Sequence, residues 1–283
     1  MATATPDNAS AGGGNYREHP QLNPSDPIPP ADPAAVDSVK ELYNAIREKF
    51  PDAVADFQAR WLVWKNVACP KYGVSSNAFA TCEGPEFDKL VALGPKIVPL
   101  VVYKLATDNR LEKNRHYLVD PNDLLNYKVL QRQANLIVDM NYERNKLADA
   151  DLKDWSAYCW KNQMHSSNSG IFTDCQETQD LLSLGPSIVA HLMLAYGPDD
   201  LNTKHPGIKF SYELLQRIVY GDGEETGLPY LDFKGMYVAW AEWFQRGEHS
   251  QTPRWIRGMR VDGSSADPGP APWYNHLFPP GRE

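Results

Sequence analysis

A chain of 283 residues with a formal net charge of −8 lacks the basic surface that displaces counterions from a phosphate backbone, which excludes a general nucleic-acid binder. Hydrophobic residues make up 42% and charged residues 23%, ordinary values for a globular protein with a substantial core. The longest apolar run, residues 97–103, contains Pro99 and is far too short to span a bilayer. Residues 1–14 carry neither the basic nor the apolar region of a secretory leader, so no membrane partner and a cytoplasmic location are expected.

Residues 1–35 read as a Pro/Gly-rich tail, since Pro6, Pro20, Pro24, Pro27, Pro29, Pro30 and Pro33 with Gly12-Gly13-Gly14 support neither a packed helix nor a central strand. Order is expected from Asp37, where Ser38 and Glu41 have capping-box spacing ahead of Val39, Leu42, Ile46 and Phe50. Pro51 ends that helix and helps start the next, which carries Val54, Phe57, Trp61 and Trp64 on one face. A short helix over 86–93 closes at Gly94-Pro95, a pair suited to a left-handed cap followed by a new first turn. The helix after it, 96–106, is apolar nearly all round and belongs in the middle of the molecule.

After a polar stretch over 107–122, Leu130, Ala134, Ile137 and Asn141 mark a helix from about 123 to 146. Leu152, Trp155 and Cys159 open a second unit, in which Trp160-Lys161-Asn162 echoes Trp64-Lys65-Asn66. A helix over 187–196 follows Gly185-Pro186, another spans 211–220 and ends at Gly221, and the last carries Phe233, Tyr237, Trp240 and Phe244. Trp240 and Trp243 repeat the interval of Trp61 and Trp64, which suggests a truncated third unit capping the stack. No strand is expected, and the predicted class is all-α. The predicted organisation is a tail over 1–35, one domain over 36–260 with internal repeats at about 52–146 and 147–245, and a loose tail over 261–283.

The chain contains one stretch twice, 91 residues apart and without a gap. Ser75, Ser76, Asn77, Glu86, Leu90, Leu93, Gly94, Pro95, Ile97 and Val98 return as Ser166, Ser167, Asn168, Glu177, Leu181, Leu184, Gly185, Pro186, Ile188 and Val189. The segment Leu93-Gly94-Pro95-Lys96-Ile97-Val98-Pro99 resembles the inter-helix turn of HEAT-type repeats. Those repeats stack helical pairs of about 40–47 residues, so each copy would be a double unit and the whole a compact HEAT-like stack. The core also resembles a set of uncharacterised fungal helical-repeat proteins. That resemblance rests on both Ser-Ser-Asn elements, the segment through Pro99-Leu100, and Tyr212-Glu213-Leu214-Leu215 with Gly221. Some members of such sets are encoded near biosynthetic genes, which is what the resemblance implies for a link to specialised metabolism.

Each residue type able to do chemistry has a structural reading beside it. Asn77 and Asn168, with their serines, either present amides and hydroxyls to a ligand or bond to backbone groups and fix the loop before each short helix. Glu86 and Glu177 either form a facing carboxylate pair for acid/base work or stabilise helix N-termini. His191 occupies the place of Leu100 on an apolar helix, as a general base inside the bundle or as a hydrogen-bonded core residue. His165 is its natural partner, and Asp180 a candidate to orient either.

Trp64 and Trp160 belong to a tryptophan set that can line an aromatic pocket or fill the core. Cys69, Cys82, Cys159 and Cys175 lack C-x2-C spacing and read as partly buried thiols, so no metal and no cofactor are expected. No phosphate loop, metalloprotease helix or nucleophile elbow is present. The expectation is a binding or scaffold module engaging a protein or peptide partner. The alternative is a cofactor-independent cyclase or isomerase of fungal specialised metabolism, working on a hydrophobic small molecule between the two units with His191, His165, Glu86 and Glu177.

Overall fold

The computed structural model describes residues 27–72, 84–108, 121–162, 170–197, 208–221 and 232–250. The fold is all-α, with no strand among the described residues. The Ser-Ser-Asn elements, with Asn77 and Asn168, lie outside the described residues, as do His165, Cys69 and Cys82 side chains.

Helix α1 (Pro33–Lys49) starts at Asp32, whose carboxylate accepts from the Ala34 amide at 2.8 Å, with Pro33 supplying the fixed φ of a first turn. It therefore begins ahead of the Ser38/Glu41 box, inside the stretch read as tail, because Asp32-Pro33 is the stronger start signal. Phe50 ends α1 and Pro51 opens α2 (Pro51–Tyr72). Helix α3 (Pro85–Val91) folds back on α2. At Gly94 the chain turns with φ +77°, passes through one 3-10 turn over Pro95–Ile97, and enters α4 (Val98–Thr107).

Helix α5 (Pro121–Asn162) is 42 residues long, about 63 Å at 1.5 Å per residue. The two helices expected around 123–146 and from Leu152 onward are one rod, since 146–152 holds no Gly or Pro and Ala148 and Ala150 are strong helix formers. The short α6 (Gly170–Thr173) and α7 (Gln176–Ser183) pack back onto α5. Gly185, φ +66°, then leads through a 3-10 turn over Gly185–Ile188 into α8 (Val189–Ala195). The two Gly-Pro segments thus take the same local course, and their 3-10 turns touch. Helix α9 (Ser211–Tyr220) keeps its expected limits, and α10 (Phe233–Arg246) completes the bundle.

One continuous core runs from α1 to α10, with Trp155, Trp240, Tyr196 and Phe57 fully buried. Each large apolar side chain so buried contributes about 1.5–3 kcal/mol through removal from water. Several helix ends are met by side chains from distant segments. Lys96 donates to the carbonyls of Trp243, Phe244 and Gly247 at 3.1, 2.9 and 2.6 Å, closing α10. Lys49 does the same for α8, donating to Met193, Leu194 and Tyr196 at 3.0, 2.8 and 2.8 Å. In return Gln245 of α10 accepts from the Asp52 and Ala53 amides at the start of α2, where Arg246 also pairs with Asp52. Orphan amides and carbonyls at helix ends must find partners, and here tertiary contacts supply them.

Candidate functional site

Two polar features stand on α5, one facing inward and one outward. The inward one surrounds His191. Asn141, Asn145 and Asp149 follow each other at four-residue spacing on α5, so they share one face, and α8 lays His191 against them. His191 Nε2 lies 3.1 Å from Asn145 Oδ1, and its Nδ1 lies 3.3 Å from Asp149 Oδ1. Asn141 donates to the same Asn145 oxygen at 3.1 Å, while the Asn145 amide nitrogen is buried without a partner. Asp149 is exposed, and the bond from His191 holds its carboxyl below the usual carboxylate range.

Both imidazole nitrogens are therefore engaged by side chains of α5. The partners are Asn145 and Asp149, while Asp180, the residue expected to orient the ring, accepts from Gln176 at 2.8 Å. The arrangement ties α8 to α5 through a polar network in which Asn141, Asn145 and His191 are buried and Asp149 reaches solvent. His191 is thus a buried histidine with side-chain partners on the facing helix.

The outward feature is a cleft of about 460 Å³ between the carboxyl half of α5 and α7. Asp151, Asp154, Tyr158 and Lys161 line it from α5, and Gln176, Glu177 and Asp180 from α7. Four carboxylates thus face one ammonium. Partial burial raises the Asp151 carboxyl, and the nearby charges of Asp180 and Asp154 push it further up, as crowded like charges must. Among the described residues no group of three or more His, Cys, Asp or Glu is arranged to hold a metal ion. What the cleft can do is attract extended cationic groups into a concave, partly desolvated strip.

The remaining candidates are dispersed. Glu86 is half-buried at the start of α3, where α3 packs on α2, whereas Glu177 sits in the α5–α7 cleft. Trp64 joins an aromatic row with Trp61 and Phe87 at ring distances of 5.0 and 6.1 Å. Trp160, by contrast, is 54% exposed on α5. Trp155, Trp240 and Trp243 fill the core, with Trp155 Nε1 donating to the Phe172 carbonyl at 2.7 Å.

Lys96 is the perturbed group that sequence reading passed over. It is only 2% exposed, and burial lowers its ammonium to about 8. A lysine between Pro95 and Ile97 carries no local sign of this, because its partners lie 147 to 151 residues further on.

Among the described residues no single helix is long and apolar enough to cross a membrane; α3 and α4 meet that composition only as a pair bent by 88°. No family model matches the chain, and comparison with curated proteins and with solved structures gives no match either.

Proposed function

We propose that this chain is a binding module built from HEAT-like helical units, and that the α5–α7 cleft receives a lysine- and arginine-rich segment of a partner protein. The observation that carries the reading is the cleft itself: an open concavity of about 460 Å³ in which Asp151, Asp154, Glu177 and Asp180 outnumber Lys161. The net charge of −8 adds a long-range field of the same sign, which speeds encounter with a cationic partner. Tyr158 supplies an aromatic face beside the carboxylates, the surface on which a guanidinium stacks.

The test is titration of the protein with fluorescent Lys/Arg-rich peptides against neutral and acidic peptides of equal length, at low and high salt. Basic peptides bind, lose roughly tenfold in affinity as the Debye length shrinks below about 8 Å, and lose binding in an Asp154→Lys, Asp180→Lys double variant. Basic peptides that bind no more tightly than neutral ones, or that ignore the double substitution, overturn the reading.

A further inference from the structure

The chain beyond α10 is held to the bundle at four points. Lys96 donates to the Gly247 carbonyl at 2.6 Å, Trp243 Nε1 to that of Glu248 at 3.1 Å, and the His249 amide to that of Ala92 at 2.7 Å. Glu248 also pairs with Arg60 at 2.9 Å. The chain therefore passes Ser250 from a fixed place beside the Gly94 turn, where a Cβ on Gly94 would lie 2.9 Å from the His249 Cβ. That turn touches the Gly185 turn, which follows α7, one wall of the acidic cleft. The sequence running on from this anchor holds Arg254, Arg257 and Arg260 at three-residue spacing, with no acidic residue over 251–261.

We propose that residues 254–260 dock in the α5–α7 cleft of the same chain, occupying the place that a partner's basic segment would take. The inference rests on the cleft reading given above and adds its regulation. Charge selects the occupant. Asp151, Asp154, Glu177 and Asp180 against Lys161 leave the cleft at −3, and the three arginines bring +3. A guanidinium fork matches a carboxylate in geometry as well as in sign. Tethering raises the local concentration of such a segment to the order of millimolar, so weak individual contacts suffice to hold it.

Reach agrees with charge. From His249 the path to Asp180 crosses the two touching turns and runs back along α7, no more than about 35 Å in all. Arg257 and Arg260 follow His249 by eight and eleven residues, spans of about 27 and about 37 Å when extended. Of the other stretches outside the described residues, only 109–120 is net positive, and it mixes Arg110, Lys113 and Arg115 with Glu112 and Asp120. That stretch joins α5 at Pro121, about 45 Å along the helix from Asp151. Arg115, six residues before Pro121, extends only about 20 Å from it.

Brief trypsin treatment of the full chain, read by mass spectrometry, tests the docking without any partner, because an arginine held in the cleft cannot enter the protease. A synthetic peptide of residues 251–261 in the same tube sets the rate of free cleavage. At low salt, cleavage after Arg257 and Arg260 is at least tenfold slower in the wild-type chain than in that peptide. The Asp154→Lys, Asp180→Lys variant, changed at two exposed positions, loses the protection. Raising salt from about 20 to about 500 mM removes it in the wild type, with no substitution needed. Cleavage at the free rate in the wild type, or protection that survives both the variant and the salt, overturns the docking. Protection that grows with protein concentration over about 1–50 μM places the segment in a second copy and overturns the contact within one chain. The peptide titration fails separately: basic peptides that bind a chain whose arginines are cut at the free rate keep the cleft reading and remove this one. A protected segment in a chain that ignores added peptides, whether or not its own arginines are replaced by glutamine, keeps the docking and removes the partner.

Discussion

Lys49 and Lys96 hold two helices shut in the same way, each ammonium taken up by three backbone carbonyls at a carboxyl terminus far away in sequence. The geometry suits lysine: three rotatable N–H donors meet three acceptors, and the positive charge lies at the negative end of the helix dipole. Lys96 also lies 5.4 Å from the centre of the Trp243 ring. The two sites differ in burial, Lys96 being enclosed and Lys49 only partly so.

Lys96→Met takes its donor from the carbonyls of Phe244 and Gly247, while that of Trp243 keeps the Gly247 amide, and destabilises the protein by about 3 kcal/mol. Lys49→Met, where water reaches the freed carbonyls, costs about 1 kcal/mol. Urea midpoints of the two variants check the order. The pH dependence carries a second signature. The folded state holds Lys96 at about 8 against 10.5 in an exposed chain, so between those values the unfolded state binds more protons. Stability therefore rises with pH from about 8 to 10.5 in the wild type, and the Lys96→Met variant lacks that component of the slope.

Gly94 and Gly185 are matched by sequence and by φ, yet their surroundings differ. A Cβ on Gly94 would lie 2.9 Å from the His249 Cβ, whereas one on Gly185 meets nothing within 4 Å. Both Gly→Ala changes carry the left-handed backbone cost of about 1–2 kcal/mol. Only Gly94→Ala must also displace His249, which brings its total to about 3 kcal/mol. Thermal unfolding separates them, with equal losses at the two sites counting against the contact.

His249 stacks on Tyr220 at 5.8 Å, gives its amide to the Ala92 carbonyl at 2.7 Å, and has a buried Nδ1 without a partner. Burial lowers the pKa of its ring below the usual 6.5. The folded state therefore resists protonation, and its stability contribution, complete above pH 6.5, is lost as pH falls toward the lowered value. His249→Phe keeps the stack and the backbone bond while removing this component. The variant's stability curve should be flatter than that of the wild type as pH falls below 6.5.

Cys159 is fully buried, and burial pushes its thiol up to about 12, with Cys175 and Glu177 adding in the same direction. Only the thiolate reacts, so the native protein shields this cysteine from iodoacetamide at neutral pH. Peptide mapping after brief labelling should find Cys159 unmodified until denaturant is added. Native labelling at a rate near that of a free thiol would show that α5 and α7 open locally.

The legible parts of the fold are those specified by neighbouring residues. Pro51, the Gly94-Pro95 and Gly185-Pro186 pairs, and Gly221 each mark a helix limit through their own backbone preferences, and the helices stop or start there. Helix α5 was harder to read because it is apolar on two opposite sides. Val138 and Ala148 face the core, while Leu136, Met140 and Leu147 face outward, which blurs a single stripe and makes the rod look like two pieces. His191 was identifiable as a polar residue in an apolar helix, but Asn145 and Asp149 were not identifiable as its partners. That pairing is set by how α8 crosses α5, and only tertiary packing decides the crossing. Lys96 illustrates the same limit, since a lysine is ordinarily read as a surface residue.

The lysine caps also fix an order of events during synthesis. Helix α4 and the turn before it leave the ribosome early, yet the carbonyls that receive Lys96 end at Gly247. Until some 150 further residues have been made, that ammonium can donate only to water, because the three carbonyls that receive it in the finished core do not yet exist. The cap on α10 therefore joins two segments that are made far apart in time, and it forms only once α10 is present.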